Sequence, residues 1–278
     1  MKLASPSVRF HLTARVTVEG RRRLDEADLP GRQGRLALVY LVANRHRPVS
    51  VDELAAALWG DDLPPSWQAS LRALVSKLRA NLEYAGAGRL TRSGGCYQAL
   101  LGSAWVDLEE SANAVDRAEG ARRRGDLAAA WGDATVGASI TRRPLLAGED
   151  LPWIATLRDV LEHRAVRALD ILAEVNLACG DHHLAAEAAR SLIDLAPFRE
   201  TGYRHLIRAE AARGDLAEAV RVFHRLRVLL DEELGARPSV DTQRALTEVL
   251  ASTSAPPVGG TRGAAMGPAP RGGAAVPG

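Results

Sequence analysis

The sequence predicts a mostly α protein: an α+β unit of helices and a hairpin comes first, and an all-α unit of paired helices follows it. Three observations carry that fold class. The stretch Ser66 to Leu101, SWQASLRALVSKLRANLEYAGAGRLTRSGGCYQALL, reads as a helix followed by a hairpin. Leu71, Val75, Leu78 and Leu82 recur at the four, three, four spacing of a buried stripe. Ser66 stands as a cap just after Pro64 and Pro65. Two strand-prone runs, Leu90-Thr91-Arg92 and Cys96 to Leu101, flank the turn residues Ser93-Gly94-Gly95. From Asp107 onward the chain becomes rich in alanine, leucine and arginine, with no further strand pattern. Within it, Gly180-Asp181 and Gly214-Asp215 lie 34 residues apart, and each pair opens a helix with two alanines: Ala185 and Ala188, then Ala217 and Ala219. A helix with a hairpin of this kind describes a winged helix-turn-helix, and a 34-residue period is that of a tetratricopeptide-like array.

With 278 residues the chain has length for two domains and a sizeable core. The expected division is 1–106 for the winged helix, 107–251 for the helical unit and 252–278 for a disordered tail, since the last stretch is Ala, Gly, Pro, Ser and Thr with little to bury. The net charge of +2 conceals a polarity. Residues 1–106 hold 15 Lys and Arg against 9 Asp and Glu, and the remainder holds 21 against 25. A basic first third beside an acidic remainder is expected when one domain meets nucleic acid and the other does not. Of the 36 basic residues only Lys2 and Lys77 are lysines and neither follows a glycine, so the chain has no Walker-type phosphate loop. Cys96 and Cys179 make neither a disulfide framework nor a zinc pattern. No apolar run reaches signal-peptide or membrane-span length, so the expectation is a soluble cytoplasmic protein, nucleoid-associated if it binds DNA, with no membrane partner.

Taken in order, residues 8–18 alternate and are rich in β-branched residues, as one or two short strands do. Arg21, Arg22 and Arg23 read as a solvated turn, or as a contact to phosphate. Pro30-Gly31 breaks the chain before a mostly apolar helix from Gly34 to Asn44, with Arg32, Gln33 and Arg35 at its start. Amides at a helix start take anions, and the two arginines would strengthen a phosphate clamp there. Ser50 and Glu53 form a capping-box signal for a helix whose inward face is Leu54, Ala57 and Leu58 and which ends at Trp59-Gly60. Trp59 reads first as a packing residue whose indole N–H can also reach a phosphate oxygen. The loop from Gly60 to Pro65 carries Asp61, Asp62 and Leu63 and is stiffened by two prolines; at six residues it exceeds the usual helix-turn-helix turn. Beyond it, the outer face of the Ser66 helix carries Arg72, Ser76, Lys77 and Arg79, with no Asp or Glu before Glu83. Seven later helices are expected over 108–124, 126–139, 152–179, 182–196, 199–213, 215–234 and 239–251, with Gly125, Gly180, Gly214 and Gly235 as stops. Trp131 and Trp153 are expected to pack this helical unit.

Enzyme chemistry needs convergent titratable groups, and none occurs at motif spacing: the chain lacks a Gly-x-Ser-x-Gly, an HExxH and a dinucleotide glycine set. His182 and His183 have no further ligands near them in sequence, which favours a solvated or packing role. Arg122, Arg123 and Arg124 complement a helix dipole. Neither a catalytic activity nor a cofactor is expected.

The motifs Gly31-Arg32-Gln33, Pro48 to Leu54, Ala57 to Asp61, Val75 to Arg79, and Leu90-Thr91-Arg92 with Tyr97 make the first unit similar to an OmpR-type winged helix. Pro197 to Glu200, Ala217 to Ala219 and Leu229 to Gly235 extend the match, so that residues 8–251 resemble the SARP family of antibiotic-regulatory activators with its bacterial transcriptional activation domain. Cys96 stands where that family usually has glycine, and Ser111 where a phenylalanine often opens the helical domain. The resemblance implies a transcriptional activator of a secondary-metabolite gene cluster that binds direct repeats in double-stranded DNA, possesses a homodimeric form on DNA and recruits RNA polymerase holoenzyme. In that reading Arg72, Ser76 and Lys77 meet the major groove, Arg92 follows the minor groove, Arg32, Arg35, Arg79 and Trp59 meet phosphates, and Asp61, Asp62 and Leu63 touch polymerase. The rival is a helical-repeat scaffold whose winged helix binds protein; duplex binding with a steep salt dependence separates the two.

Overall fold

Alternation along the first strands turns Phe10 and Val18 inward, and both are fully buried. In the computed structural model, which describes residues 8–254, β1 (Arg9–His11), β2 (Thr17–Glu19) and β3 (Arg23–Leu24) pair antiparallel in sequence. A short strand not foreseen in the sequence, β7 (Trp105–Val106), lies parallel to β1 and completes a sheet of order β3-β2-β1-β7. Arg23 is therefore a strand residue, with its Nε 2.9 Å from Asp25.

Three helices follow: α1 (Gly31–Ala43), α2 (Val51–Trp59) and α3 (Trp67–Ala85). The first begins at Gly31, a turn earlier than the apolar run indicates. The expected capping box is half present. Ser50 accepts from the Glu53 amide at 3.0 Å, but the Glu53 carboxylate goes to the Tyr40 hydroxyl at 2.7 Å and to Arg47 rather than back to the cap. Ser66 precedes α3 without a side-chain capping bond; its carbonyl accepts from Ala69 and Ser70 instead. The predicted stripe is inside: Leu71, Val75, Leu78 and Leu82 are all buried. Leu78→Ala therefore opens a core cavity and should cost about 2–5 kcal/mol, read as a lowered melting temperature.

The hairpin is β5 (Arg89–Ser93) and β6 (Cys96–Leu100), paired from Arg89↔Leu100 to Ser93↔Cys96. Its two-residue turn puts Gly94 at φ 57° and Gly95 at φ 75°, the left-handed pair that a tight hairpin requires. Cys96 opens β6 half-buried, so the wing closes with cysteine at that place. A further short strand, β4 (Val49–Ser50), pairs Val49 with Tyr97 and makes the small sheet three-stranded.

The helical unit comprises α4 (Asp107–Arg123), α5 (Leu127–Thr141), α6 (Pro152–Ala178), α7 (His182–Leu195), α8 (Glu200–Ala212), α9 (Leu216–Leu234) and α10 (Val240–Ser254). Three corners share one construction. At Gly125, Gly180 and Gly214 the backbone is left-handed, and the next residue is Asp126, Asp181 or Asp215. Each aspartate carboxylate accepts from the amide three residues on, while its own amide returns to the carbonyl five residues back: Ala121, Asn176 or Glu210. The Gly-Asp construction thus recurs at a third corner, Gly125-Asp126, which lies off the 34-residue period of the other two. Of the paired alanines Ala185, Ala188 and Ala219 are buried, whereas Ala217 faces solvent.

Two tryptophans depart from expectation. Trp131 is 43% exposed and so lies outside the helical core. Trp153 packs away from its own unit: its ring meets Tyr40 edge-on at 5.1 Å and its Nε1 donates to the Ala57 carbonyl at 2.8 Å. The apolar core of the winged helix likewise continues through Leu108, Leu145, Leu146, Ile154 and Leu161. Among the described residues no helix is long and apolar enough to cross a membrane. The first three residues of the expected tail, 252–254, belong to α10 instead, and the rest of it lies outside the described residues.

Candidate nucleic-acid interface

With the leucine stripe of α3 inside, the 100° step between residues leaves Ala69, Arg72, Ala73, Ser76, Lys77 and Ala80 on the outer face, all exposed. The crest of that face is small: Ala69, Ala73, Ser76 and Ala80 lie along it, with Arg72 on one flank and Lys77 on the other. Such a helix can approach closely, because methyls on the crest can meet thymine methyls while the flanking cations reach base edges or phosphates. Among the described residues neither the Arg72 nor the Lys77 side chain has a hydrogen bond or a carboxylate partner. The alanines were not singled out in the sequence; their only signal there is their position opposite the leucines.

The remaining candidates fall into distinct settings. Arg92 is exposed on the wing and lies over the ring of its cross-strand partner Tyr97, 5.7 Å from the centroid. Arg89, three residues earlier on the same strand, is also exposed. Arg79 is half-buried, and its Nε donates to the Leu90 carbonyl at 2.9 Å, so it ties α3 to the hairpin. Trp59 is half-buried against the core at the end of α2. Arg32 and Arg35 both face Glu149 from the connection between α5 and α6. Arg32 Nε lies 2.9 Å from Glu149 Oε2, Arg35 Nη2 lies 2.7 Å from Oε1, and Arg35 also pairs with Glu26. Asp61, Asp62 and Leu63 are exposed in the connection between α2 and α3. Beside the interface, Arg22 covers the ring of exposed Tyr84 at 4.3 Å.

Electrostatics behind α2 are set by one cluster. Arg47 donates to Glu53 at 2.6 and 3.0 Å and holds its carboxyl at about 2, with the Tyr40 hydroxyl acting in the same direction. Burial, followed by the adjacent Glu53, raises the Tyr40 phenol. The cluster thereby joins α1, the turn before β4 and the first turn of α2. It holds the helix pair that carries the outer helix. Among the described residues no group of three or more His, Cys, Asp or Glu side chains is placed to hold a metal ion.

A winged helix with an acid-poor cationic outer face, carried on paired helices, is the architecture of a transcription regulator. Residues 106–250 match the bacterial transcriptional activator domain, and the chain belongs to that family. It is similar to the regulatory protein AfsR of Streptomyces coelicolor, with 30% identity over 78% of this chain and 22% of the relative. It is also similar to the transcriptional regulatory protein EmbR of Mycobacterium tuberculosis, with 28% identity over 77% of this chain and 56% of the relative. The chain thus spans about a fifth of the length of the first relative and about half of the second. The solved structure of Mycobacterium tuberculosis EmbR in complex with a low-affinity phosphopeptide superposes with a TM-score of 0.76 at 23% identity, over 89% of this chain and 66% of that one. These likenesses bear out the expected fold class, the resemblance to SARP-type activators and the place of the chain among regulators of transcription.

Proposed function

We propose that the protein is a sequence-specific DNA-binding activator of transcription, without catalysis of its own, that acts on a secondary-metabolite gene cluster. The observation that carries this reading is the outer face of α3, where Arg72 and Lys77 flank an alanine crest and have no carboxylate partner among the described residues. In this mechanism α3 enters the major groove, Arg72, Ser76 and Lys77 meet bases or adjacent phosphates, and Arg92 on the wing follows the minor groove. Arg79, held by Leu90, and the Trp59 indole take phosphates beside it. Arg32 and Arg35 contribute phosphate contacts when they are free of Glu149. Residues 1–106 form the DNA-binding unit and 107–251 the activator unit, and two copies sit on direct repeats upstream of promoters.

Asp61, Asp62 and Leu63 project from the loop before α3, where acidic groups gain nothing from phosphate and remain available to RNA polymerase holoenzyme. Titration of labelled duplex from the chain's own chromosomal neighbourhood, over a series of salt concentrations, tests the reading. A protein that neutralises several phosphates loses affinity linearly on logarithmic axes as salt rises. Footprints at repeated sites are expected. Duplex binding that is absent, or that is insensitive to salt, would leave the scaffold reading in its place.

A further inference from the structure

Glu149 comes from the connection between α5 and α6, yet its side chain is 5% exposed and lies against the start of α1. Both carboxylate oxygens are used. Arg32 Nε donates to Oε1 at 3.1 Å and to Oε2 at 2.9 Å, and Arg35 Nη2 donates to Oε1 at 2.7 Å. Arg32 remains 51% exposed on its other side. An arginine fork accepts carboxylate and phosphate in the same geometry. The anion position at Arg32 and the start of α1 is therefore filled from within the chain, while Arg72 and Lys77 on α3 have no such partner among the described residues.

The segment that delivers Glu149 is held from both units. Arg158 on α6 donates to the Leu145 and Leu146 carbonyls at 3.0 and 2.6 Å, and the Ala14 amide donates to the Pro144 carbonyl at 2.7 Å. Leu145 and Leu146 are buried in the winged-helix core, and the Glu149 amide turns back to the Leu146 carbonyl. Leu146 adopts φ 46° and Ala14 φ 62°, the two positive values among described residues other than glycine. Unfavourable backbone persists where the surroundings over-determine it. Both such residues here lie on the segments that place Glu149.

We propose that Glu149 is an internal phosphate mimic that sets the affinity of this chain for DNA: it neutralises Arg32, and with it Arg35, so that the helical unit withholds a backbone contact from the winged helix. The inference rests on the DNA-binding reading above. Its test is the salt dependence of duplex binding by the full chain, with Glu149→Gln, which keeps the size of the side chain, removes its charge and leaves one acceptor oxygen in place of two. Binding is expected to tighten several-fold at low salt, and the logarithmic slope should steepen by about 0.9, one more phosphate neutralised.

Glu162→Gln serves as the charge-matched control, since Glu162 has no arginine partner among the described residues; it should leave the slope unchanged. Glu149→Gln combined with Arg32→Ala should return the slope to the wild-type value. A slope unmoved by Glu149→Gln, or moved equally by Glu162→Gln, overturns the proposal. Arg32→Ala in the otherwise wild-type chain keeps the test decisive if Glu149→Gln does not fold. Because the proposal has Arg32 already neutralised, this variant should leave the slope unchanged, and a slope flattened by about 0.9 would mean that Arg32 already holds a phosphate. Failure of both wild type and Glu149→Gln to bind duplex defeats the DNA-binding reading itself; wild-type binding with an unmoved slope defeats this inference alone.

Discussion

Lys77 stands alone on its flank of α3, exposed and one turn beyond Ala73 on the alanine crest. A lysine against a phosphate acts as a point charge that releases about one counterion. Lys77→Ala should therefore weaken duplex binding and flatten the salt slope by about 0.9, with the circular dichroism spectrum unchanged. Arg72 on the other flank presents a planar fork suited to a guanine edge, so its loss should alter sequence preference as well as affinity. Glu53 illustrates a residue whose work is structural. Its carboxyl is held at about 2, chiefly by Arg47, against an ordinary value of 4.5. A carboxyl depressed in the folded state stabilises it fully above the unfolded value, and that stabilisation is lost as pH falls from about 4.5 through about 2. Acid unfolding of Glu53→Gln should accordingly show a smaller fall in melting temperature across that window than the wild type does. Partial exposure of the pair keeps the difference modest.

At the scale of elements, the connection between α2 and α3 separates two tasks. It begins at Gly60, with φ 60°, where an added Cβ would meet the Leu151 side chain at 3.8 Å, and it returns to helix when the Trp67 amide bonds the Pro64 carbonyl. Between these anchors Asp61, Asp62 and Leu63 face solvent. A loop held at both ends and stiffened by prolines loses less freedom on docking than a mobile one. Replacing Asp61 and Asp62 by alanine should leave operator affinity near normal and impair transcription in vitro with purified polymerase. Full activation, or a loss accounted for by weaker DNA binding, would refute that role. The three Gly-Asp corners show the opposite economy: one local device, repeated, turns the chain between α4 and α5, α6 and α7, and α8 and α9.

Across the whole molecule the two units share a core. Asp107 at the start of α4 is fully buried and accepts from the Leu12 and Thr13 amides at 2.8 and 2.9 Å and from the Thr13 hydroxyl. Arg45 reaches Glu109 at 2.6 Å and the Ala104 carbonyl at 3.1 Å. Trp153 closes the same junction from α6 onto α1 and α2. Units joined by buried apolar surface unfold together, so the wild type should melt in one transition. Trp153→Ala should cost about 2–4 kcal/mol, somewhat under a full core truncation because the ring is half-buried, and should split the calorimetric trace into two transitions. A single unshifted transition would mean that the junction contributes little.

The sequence by itself determined the elements whose causes lie within a turn or two of chain. The leucines of α3, the Gly94-Gly95 hairpin and the Gly-Asp corners were legible because period, turn chemistry and capping are local. The motifs spread over residues 8–251 carried the class of regulator. Tertiary structure alone decided which side chains meet across long separations. An arginine reads the same whether it is free of carboxylates among the described residues, as Arg72 is, or held, as Arg32 is by Glu149 from 117 residues away. A tryptophan reads as core whether it packs inward, onto the neighbouring unit like Trp153, or stays outside like Trp131. The two short strands at Val49 and Trp105 were equally silent, since a pair of residues becomes a strand only when folding brings a partner edge alongside. Charge pairing, packing and strand pairing are made between distant segments, and one sequence read along its length records only one side of each.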